Sequence, residues 1–178
     1  MNDIMYYSAA YRSPVGLLTL VSDGDRLAGL WIEKQKHFGG AVLSMASPRE
    51  DLPVFVLTKK WLDRYFAGLK PNPYTLPLIL VGSDFRRLVW GILRAVPYGS
   101  ATTYGDIAKK IIMRTNAKRM SAQSVGGALA RNPISIIVPC HRVLGSDGSL
   151  TGYAAGLDVK AKLLELEGVK TRAATENY

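Results

Sequence analysis

The segment Asn132-Pro133-Ile134-Ser135-Ile136-Ile137-Val138-Pro139-Cys140-His141-Arg142-Val143 sets a helix stop, a β-branched run and a Cys-His pair in immediate succession. Asn132-Pro133 ends the helix before it, because proline disfavours the α conformation in the residue that precedes it. Ile134 to Val138 is apolar and mostly β-branched, and predicts a short buried strand that delivers the chain to Cys140. Cys140 is the only cysteine, so neither an internal disulfide nor a multi-thiolate metal site is expected. His37 and His141 are the only histidines, and no metal site is predicted. A thiol attacks as its thiolate, which is scarce at neutral pH, so activation needs a neighbouring base or cation. His141 and Arg142 follow directly. Side chains adjacent on an extended segment point to opposite faces, which makes a direct Cys140–His141 bond awkward and a water-bridged one easier. Glu165 or Glu167 on the last helix can hold the other imidazole nitrogen. Taken as an isolated Cys-His pair, these residues favour the simpler reading of a thiol packed at a strand end, with His141 and Arg142 in solvent.

Upstream of this segment the chain reads as helical. Ser83 or Asp84 caps a helix with Phe85, Leu88, Val89, Ile92 and Val96 on its apolar side, and Pro97-Tyr98-Gly99 stops it. Thr103 and Asp106 have capping-box spacing and open a second helix, Tyr104 to about Ile112. A basic link, Arg114 to Arg119, leads to Ser121, which caps a third helix ending near Ala130. Two short helices, the second rich in small residues, outline a helix-turn-helix unit. Downstream lie a Gly-rich loop, Gly145 to Gly156, and a helix from about Asp158 to Glu167 with Leu163, Leu164 and Leu166 available to pack inward.

The first third has β grammar. Met5–Tyr11, Leu17–Ser22 and Leu27–Ile32 are strand-like runs separated by turn residues and predict an antiparallel meander. Leu57, Trp61, Tyr65 and Phe66 recur at helical spacing before Gly68 and read as core packing. Pro71, Pro73 and Pro77 mark a linker over residues 70–82, whose apolar end, Leu78 to Val81, is expected to pair back onto the meander. The organisation expected is a supporting sheet-containing domain over 1–80, a second domain over 83–170 and a flexible tail over 171–178.

The chain has 178 residues, 48% hydrophobic and 21% charged, as in water-soluble globular proteins. No apolar run approaches the ~18 residues that span a bilayer, and the first residues lack a secretory signal, so a cytoplasmic protein is expected. Lys and Arg number 23 against 14 Asp and Glu, a net charge of +9. That excess favours a polyanionic partner such as nucleic acid, though it also serves solubility.

Asn132-Pro133, six intervening residues and Cys140-His141-Arg142-Val143 closely resemble the signature of the 6-O-alkylguanine-DNA alkyltransferases, also called methylated-DNA–protein-cysteine methyltransferases. Val125-Gly126-Gly127-Ala128 resembles the family's recognition helix, and Tyr104 sits where the family has a phosphate-rotating tyrosine. Thr151-Gly152-Tyr153-Ala154-Ala155-Gly156-Leu157 resembles its active-site loop, and Lys160 with Leu163 to Gly168 its closing helix. The resemblance runs from Phe85 to Gly168 and is only architectural before that. It implies an α+β chain, with an N-terminal mixed α/β, ribonuclease-H-like sheet domain and a C-terminal winged-helix/helix-turn-helix-like alkyltransferase domain.

The resemblance also implies roles. Cys140 attacks the alkyl carbon on the 6-oxygen of guanine, or the 4-oxygen of thymine, in one in-line displacement. His141 is the base through a water, Glu167 orients it, and Asn132 braces the turn. Tyr104, Val143, Tyr153, Ala154 and Lys160 frame the flipped base. Tyr104, Arg119, Ala122, Gln123, Ser124, Gly126, Gly127 and Arg131 meet double-stranded DNA through the minor groove. The thioether cannot revert, so the implied protein is a single-turnover, monomeric acceptor without metal, cofactor or membrane. A base inside a stack must be rotated out before such a displacement can align, and small residues let a helix backbone approach the duplex.

Two positions depart from the family pattern. Gln123 stands where an intercalating arginine is usual, so capture of the extruded state is expected to be weaker, with Arg119 placed to compensate if the helix begins a turn earlier. Ala154 replaces a serine and is expected to admit bulkier alkyl groups. Three rivals remain on the residues alone. A lesion-flagging DNA binder would lack the nucleophile, a Cys-His hydrolase would need an oxyanion hole, and a transcription factor would use Cys140 as a sensor.

Overall fold

The structure is a computed structural model that describes residues 4–172; of the expected tail, residues 173–178 lie outside the described residues. The chain divides into two units, Met1–Val81 with Pro133–Ile137, and Gly82–Asn132 with Val138–Tyr178.

In the first unit, strands β1 (Tyr6–Ser13), β2 (Gly16–Ser22) and β3 (Leu27–Ile32) form the expected meander, joined on its β1 side by β4 (Ala46–Pro48). The sheet order is β3-β2-β1-β4, antiparallel except for the parallel β1–β4 pair. Gly16, at φ 114°, closes the first hairpin, and Ser13 Oγ donates to its carbonyl at 2.7 Å. All six residues of β3 are buried. Gly29 is required there, because a Cβ would fall 2.0 Å from the Trp31 ring. The outer edge of β3 is covered by two short segments rather than a full strand. Leu27 N donates to Pro77 O and Ile79 N to Leu27 O, so the end of the proline-rich stretch does pair back onto the meander. Further along, Leu30 N donates to Pro133 O and Ser135 N to Leu30 O, each at 2.8 Å. Capping an exposed edge in this way removes a pairing hazard.

This second contact corrects the strand expected over Ile134 to Val138. Only Ile134 makes a bridge, and Ile136 then turns at φ 71° while almost wholly buried. A β-branched residue in the left-handed region is an outlier costing on the order of 1–3 kcal/mol, sustained by the burial of Ile134, Ile136 and Ile137. Periodicity could not show this, because a five-residue apolar run suits a tight buried turn as well as a strand. It also draws Pro133–Ile137 into the first unit, an excursion that simple boundaries at 80 and 83 do not contain.

Helix α1 (Pro53–Phe66) packs on β1 and β2 with Val54, Phe55, Thr58, Trp61, Leu62 and Tyr65. Trp61 and Tyr65 stack at 5.5 Å within the expected stripe, but Leu57 is exposed, since Thr58 takes the inward place and bonds Val54 O.

In the second unit, α2 (Asp84–Arg94) is capped by Ser83, whose hydroxyl accepts from Arg86 N. Its buried residues are Val89, Trp90, Ile92 and Leu93, and Trp90 Nε1 donates to Ala128 O at 2.9 Å, tying α2 to α4 (Ala122–Ala130). Helix α3 (Tyr104–Thr115) starts at the Thr103–Asp106 capping box. It runs three residues past the expected end, to Asn116 in the left-handed conformation that commonly closes helices. Ser121 caps α4 and accepts from Ser124 N, a cap of this type contributing about 1 kcal/mol. Strands β5 (Thr102–Thr103) and β6 (Val143–Leu144) form a small parallel pair, and α5 (Leu157–Leu166) ends at Glu167.

Candidate active site

The site lies wholly within the second unit and starts from the way the chain leaves and re-enters it. Asn132 follows α4, and its buried side-chain amide donates both to Val138 O at 2.7 Å and to Cys140 Sγ at 3.1 Å. One amide thus ties the departing chain to the returning one and places a donor on the sulfur. Cys140 to Arg142 then form a single 3-10 turn rather than an extended segment. At three residues per turn, consecutive side chains leave about 120° apart, so His141 and Arg142 can face one partner that strand alternation would deny them.

That partner is Glu167. His141 Nε2 lies 2.7 Å from Oε1, while Arg142 donates from Nη2 to Oε1 at 2.9 Å and from Nε to Oε2 at 2.8 Å. Gly99 N reaches Oε2 at 3.2 Å, and Arg142 Nη1 donates to Val96 O at 2.6 Å. The side chains of His141 and Glu167 are fully buried, and Glu165, the other carboxylate considered, is exposed. Burial alone would raise the Glu167 carboxyl, but the hydrogen bonds and charges of His141 and Arg142 bring it down to about 2. His141 is pushed below the ordinary imidazole value by burial, against the pull of Glu167. Burial also raises the Cys140 thiol, opposed by the Asn132 amide, the Lys160 charge and the backbone N–H groups of Cys140 and His141. The resting pair is therefore a neutral thiol beside a neutral imidazole. With Nε2 against a carboxylate, the proton sits on Nε2, and Nδ1 is the basic nitrogen.

Lys160 is fully buried on α5, and its ammonium donates to Val143 O and Thr151 O, each at 2.5 Å, and to Gly152 O at 3.4 Å. It fastens the Gly-rich loop to the strand that follows Cys140, and burial lowers it to about 8. The Tyr153 and His141 rings stand nearly perpendicular with centroids 6.5 Å apart, Val143 is buried, and Ala154 is half-buried beside Tyr153 in the loop. Tyr104 stands between the loop and α4: a Cβ on Gly152 would lie 3.4 Å from its hydroxyl, and one on Gly126 3.8 Å from its ring.

On α4, Ala122, Gln123, Ser124 and Gly127 are exposed, as is Arg131 at its end. A Cβ on Gly127 would meet nothing within 4 Å, so the packing among the described residues does not call for a glycine there. Arg119 is exposed but lies outside the helix, which begins after Ser121, so the helical-turn relation to Gln123 does not exist.

Sequence reasoning missed Arg142, Tyr98 and Gly99. Arg142 was set in solvent by the plain reading of the Cys-His pair, yet it is only 6% exposed and lies over the Tyr98 ring at 5.8 Å. The Tyr98 hydroxyl in turn donates to Leu166 O at 3.0 Å. A cation directly after the histidine and a carboxylate on the final helix were the available signal. Among the described residues, no group of three or more His, Cys, Asp or Glu is arranged to hold a metal ion, and no helix is long and apolar enough to cross a membrane.

Residues 84–169 match the family model described as 6-O-methylguanine DNA methyltransferase, DNA binding domain, and residues 5–80 match its ribonuclease-like domain. The chain is 40% identical over 165 residues to a methylated-DNA–protein-cysteine methyltransferase of Haemophilus influenzae, covering 93% of this chain and 87% of that one. It is 42% identical over 164 residues to the enzyme of that name from Methanosarcina acetivorans, covering 92% and 99%. Among solved structures, a Mycobacterium tuberculosis OGT in complex with DNA superposes with a TM-score of 0.76 at 38% identity, covering 92% of each chain.

Proposed function

This chain belongs to the 6-O-methylguanine DNA methyltransferase family, and from that membership we propose that it repairs DNA by moving an alkyl group from a damaged base to Cys140. The partner is double-stranded DNA carrying 6-O-alkylguanine, and a 4-O-alkylthymine would be handled by the same displacement. The observation that carries the reading is the pair of hydrogen bonds on adjacent residues, Asn132 amide to Cys140 Sγ and His141 to Glu167, within one unit.

The chemistry follows from the resting protonation states. The alkyl carbon is attacked by sulfur as its bond to the base oxygen breaks. The thiol proton passes to His141 Nδ1, directly or through a water, while Nε2–H stays on Glu167. The base leaves as a carbonyl with its electron pair returned to the ring, where a proton restores ordinary guanine. We assign the donor of a hydrogen bond to that base to Tyr104, whose ring lies near Gly126 of α4 and whose hydroxyl lies near Gly152 of the loop. Asn132 steadies the developing sulfur anion, and Lys160 supplies positive potential nearby. The lesion must leave the stack to meet Cys140, and α4, with its exposed small side chains, is the element to approach the minor groove. Attacking atom and proton acceptor both belong to the chain, so the displacement calls on no cofactor, and the thioether ends the reaction after one turnover by a single chain.

Intact-mass measurement after mixing with methylated duplex tests this. A single addition of about 14 Da at Cys140 per molecule is the expected result, from replacement of S–H by S–CH3. Repeated turnover, or no addition, would overturn it.

A further inference from the structure

The carboxylate that orients His141 is shared with a second group whose charge has the opposite consequence. Glu167 Oε1 meets both His141 Nε2 at 2.7 Å and Arg142 Nη2 at 2.9 Å, while Arg142 Nε takes Oε2. The guanidinium is held independently by Val96 O and the Tyr98 ring, so its fork is fixed on the carboxylate. A buried carboxylate facing only an imidazole would draw it toward imidazolium, because each charge stabilises the other. An imidazolium is no base. The remaining groups around His141 are Cys140 beside it, Lys160 as a second cation from α5, the Tyr153 ring from the loop, and Tyr98 behind Arg142.

Resting on the alkyl-transfer reading above, we propose that Arg142 is a positioning residue that cancels the charge of Glu167 while leaving its geometry. Glu167 then aims the imidazole ring without protonating it. The effect of Arg142 on His141 is directed downward, as this division of labour requires. A cation removed from a partly shielded site within about 4–6 Å shifts a titration by about one unit.

The test is the imidazole titration of the full-length protein by NMR, in which the exposed His37 serves as the internal reference. In Arg142→Gln, His141 should titrate about one unit higher, with His37 unmoved. The acid limb of the single-turnover rate should move with it, lowering the rate about tenfold below the wild-type limb and little at pH 8. Arg142→Lys should restore the profile, because it keeps the cation. Arg142→Gln leaves Glu167 buried without its cation, and Glu167→Gln strands Arg142, so the double variant Glu167→Gln/Arg142→Gln, which strands neither charge, guards against misfolding. Its His141 should titrate close to the wild type, because the charge and its cancelling partner go together. A His141 titration unchanged in Arg142→Gln, or displaced as far in the double variant, would reduce Arg142 to a structural brace and overturn the proposal. Absence of a Cys140 adduct in the wild-type protein would instead overturn the alkyl-transfer reading, and the titration would still report on Arg142.

Discussion

Around Cys140 the polar side chains are buried and tied to their surroundings: Asn132 to sulfur, His141 and Arg142 to Glu167, Lys160 to two loop carbonyls and the carbonyl of Val143. On α4, a few residues upstream, the marked residues face outward, and Gly127 has nothing to pack against. The first region is explained by the inside of the molecule. The second is not: a glycine inside a helix costs about 1 kcal/mol relative to alanine, and nothing in the fold offsets that cost. Under the alkyl-transfer proposal, what would account for that surface is a duplex approached by the helix backbone.

The contrast can be broken at its centre. Cys140→Ser should abolish the mass addition entirely while leaving DNA binding in place, checked by mass spectrometry and a binding titration side by side. Glu167→Gln should cost about 3–5 kcal/mol by chemical denaturation at pH 7, because it strands Arg142 in the interior. The wild-type site should also fail in acid. Glu167 is held at about 2 against an ordinary 4.5, so its stabilisation is complete above pH 4.5 and is lost as pH falls toward 2. His141, held below 6.5, loses stability in the same direction, since the unfolded chain protonates first. Denaturation curves collected between pH 7 and 3 should therefore show Glu167→Gln losing less stability than the wild type over that span.

Smaller effects sharpen the other side of the comparison. Gly127→Ala should stabilise the fold by about 0.5–1 kcal/mol and weaken duplex binding, two readouts moving in opposite directions. An unchanged affinity would remove the argument that the duplex needs a bare backbone there. Gln123→Arg should tighten binding modestly and steepen its salt dependence by about one ion, read from the slope of affinity against salt.

Much of this was legible in the chain. The meander, the Thr103–Asp106 and Ser121 caps and the final helix follow from turn residues, capping side chains and periodicity, which act within a few residues. Leu57 was misplaced because helical spacing defines a stripe only to within a residue. The apolar run Ile134 to Ile137 was misread because its conformation answers to Leu30, about a hundred residues away. The residues alone left Glu165 and Glu167 open and only the resemblance chose Glu167; the physical difference is the end of α5, where Glu167 is buried and Glu165 exposed.

By its sequence alone the protein declared its single cysteine with a histidine and an arginine beside it, its caps and its positive charge, because these depend on residue identity and short spacing. Only tertiary structure decided that Cys140 sits on a 3-10 turn, that Arg142 turns inward to share Glu167 with His141, and that Lys160 binds the loop. The last two rest on partners from nine to twenty-five residues away, and burial, which sets whether a thiol or an imidazole is charged, exists only once the chain has closed around them.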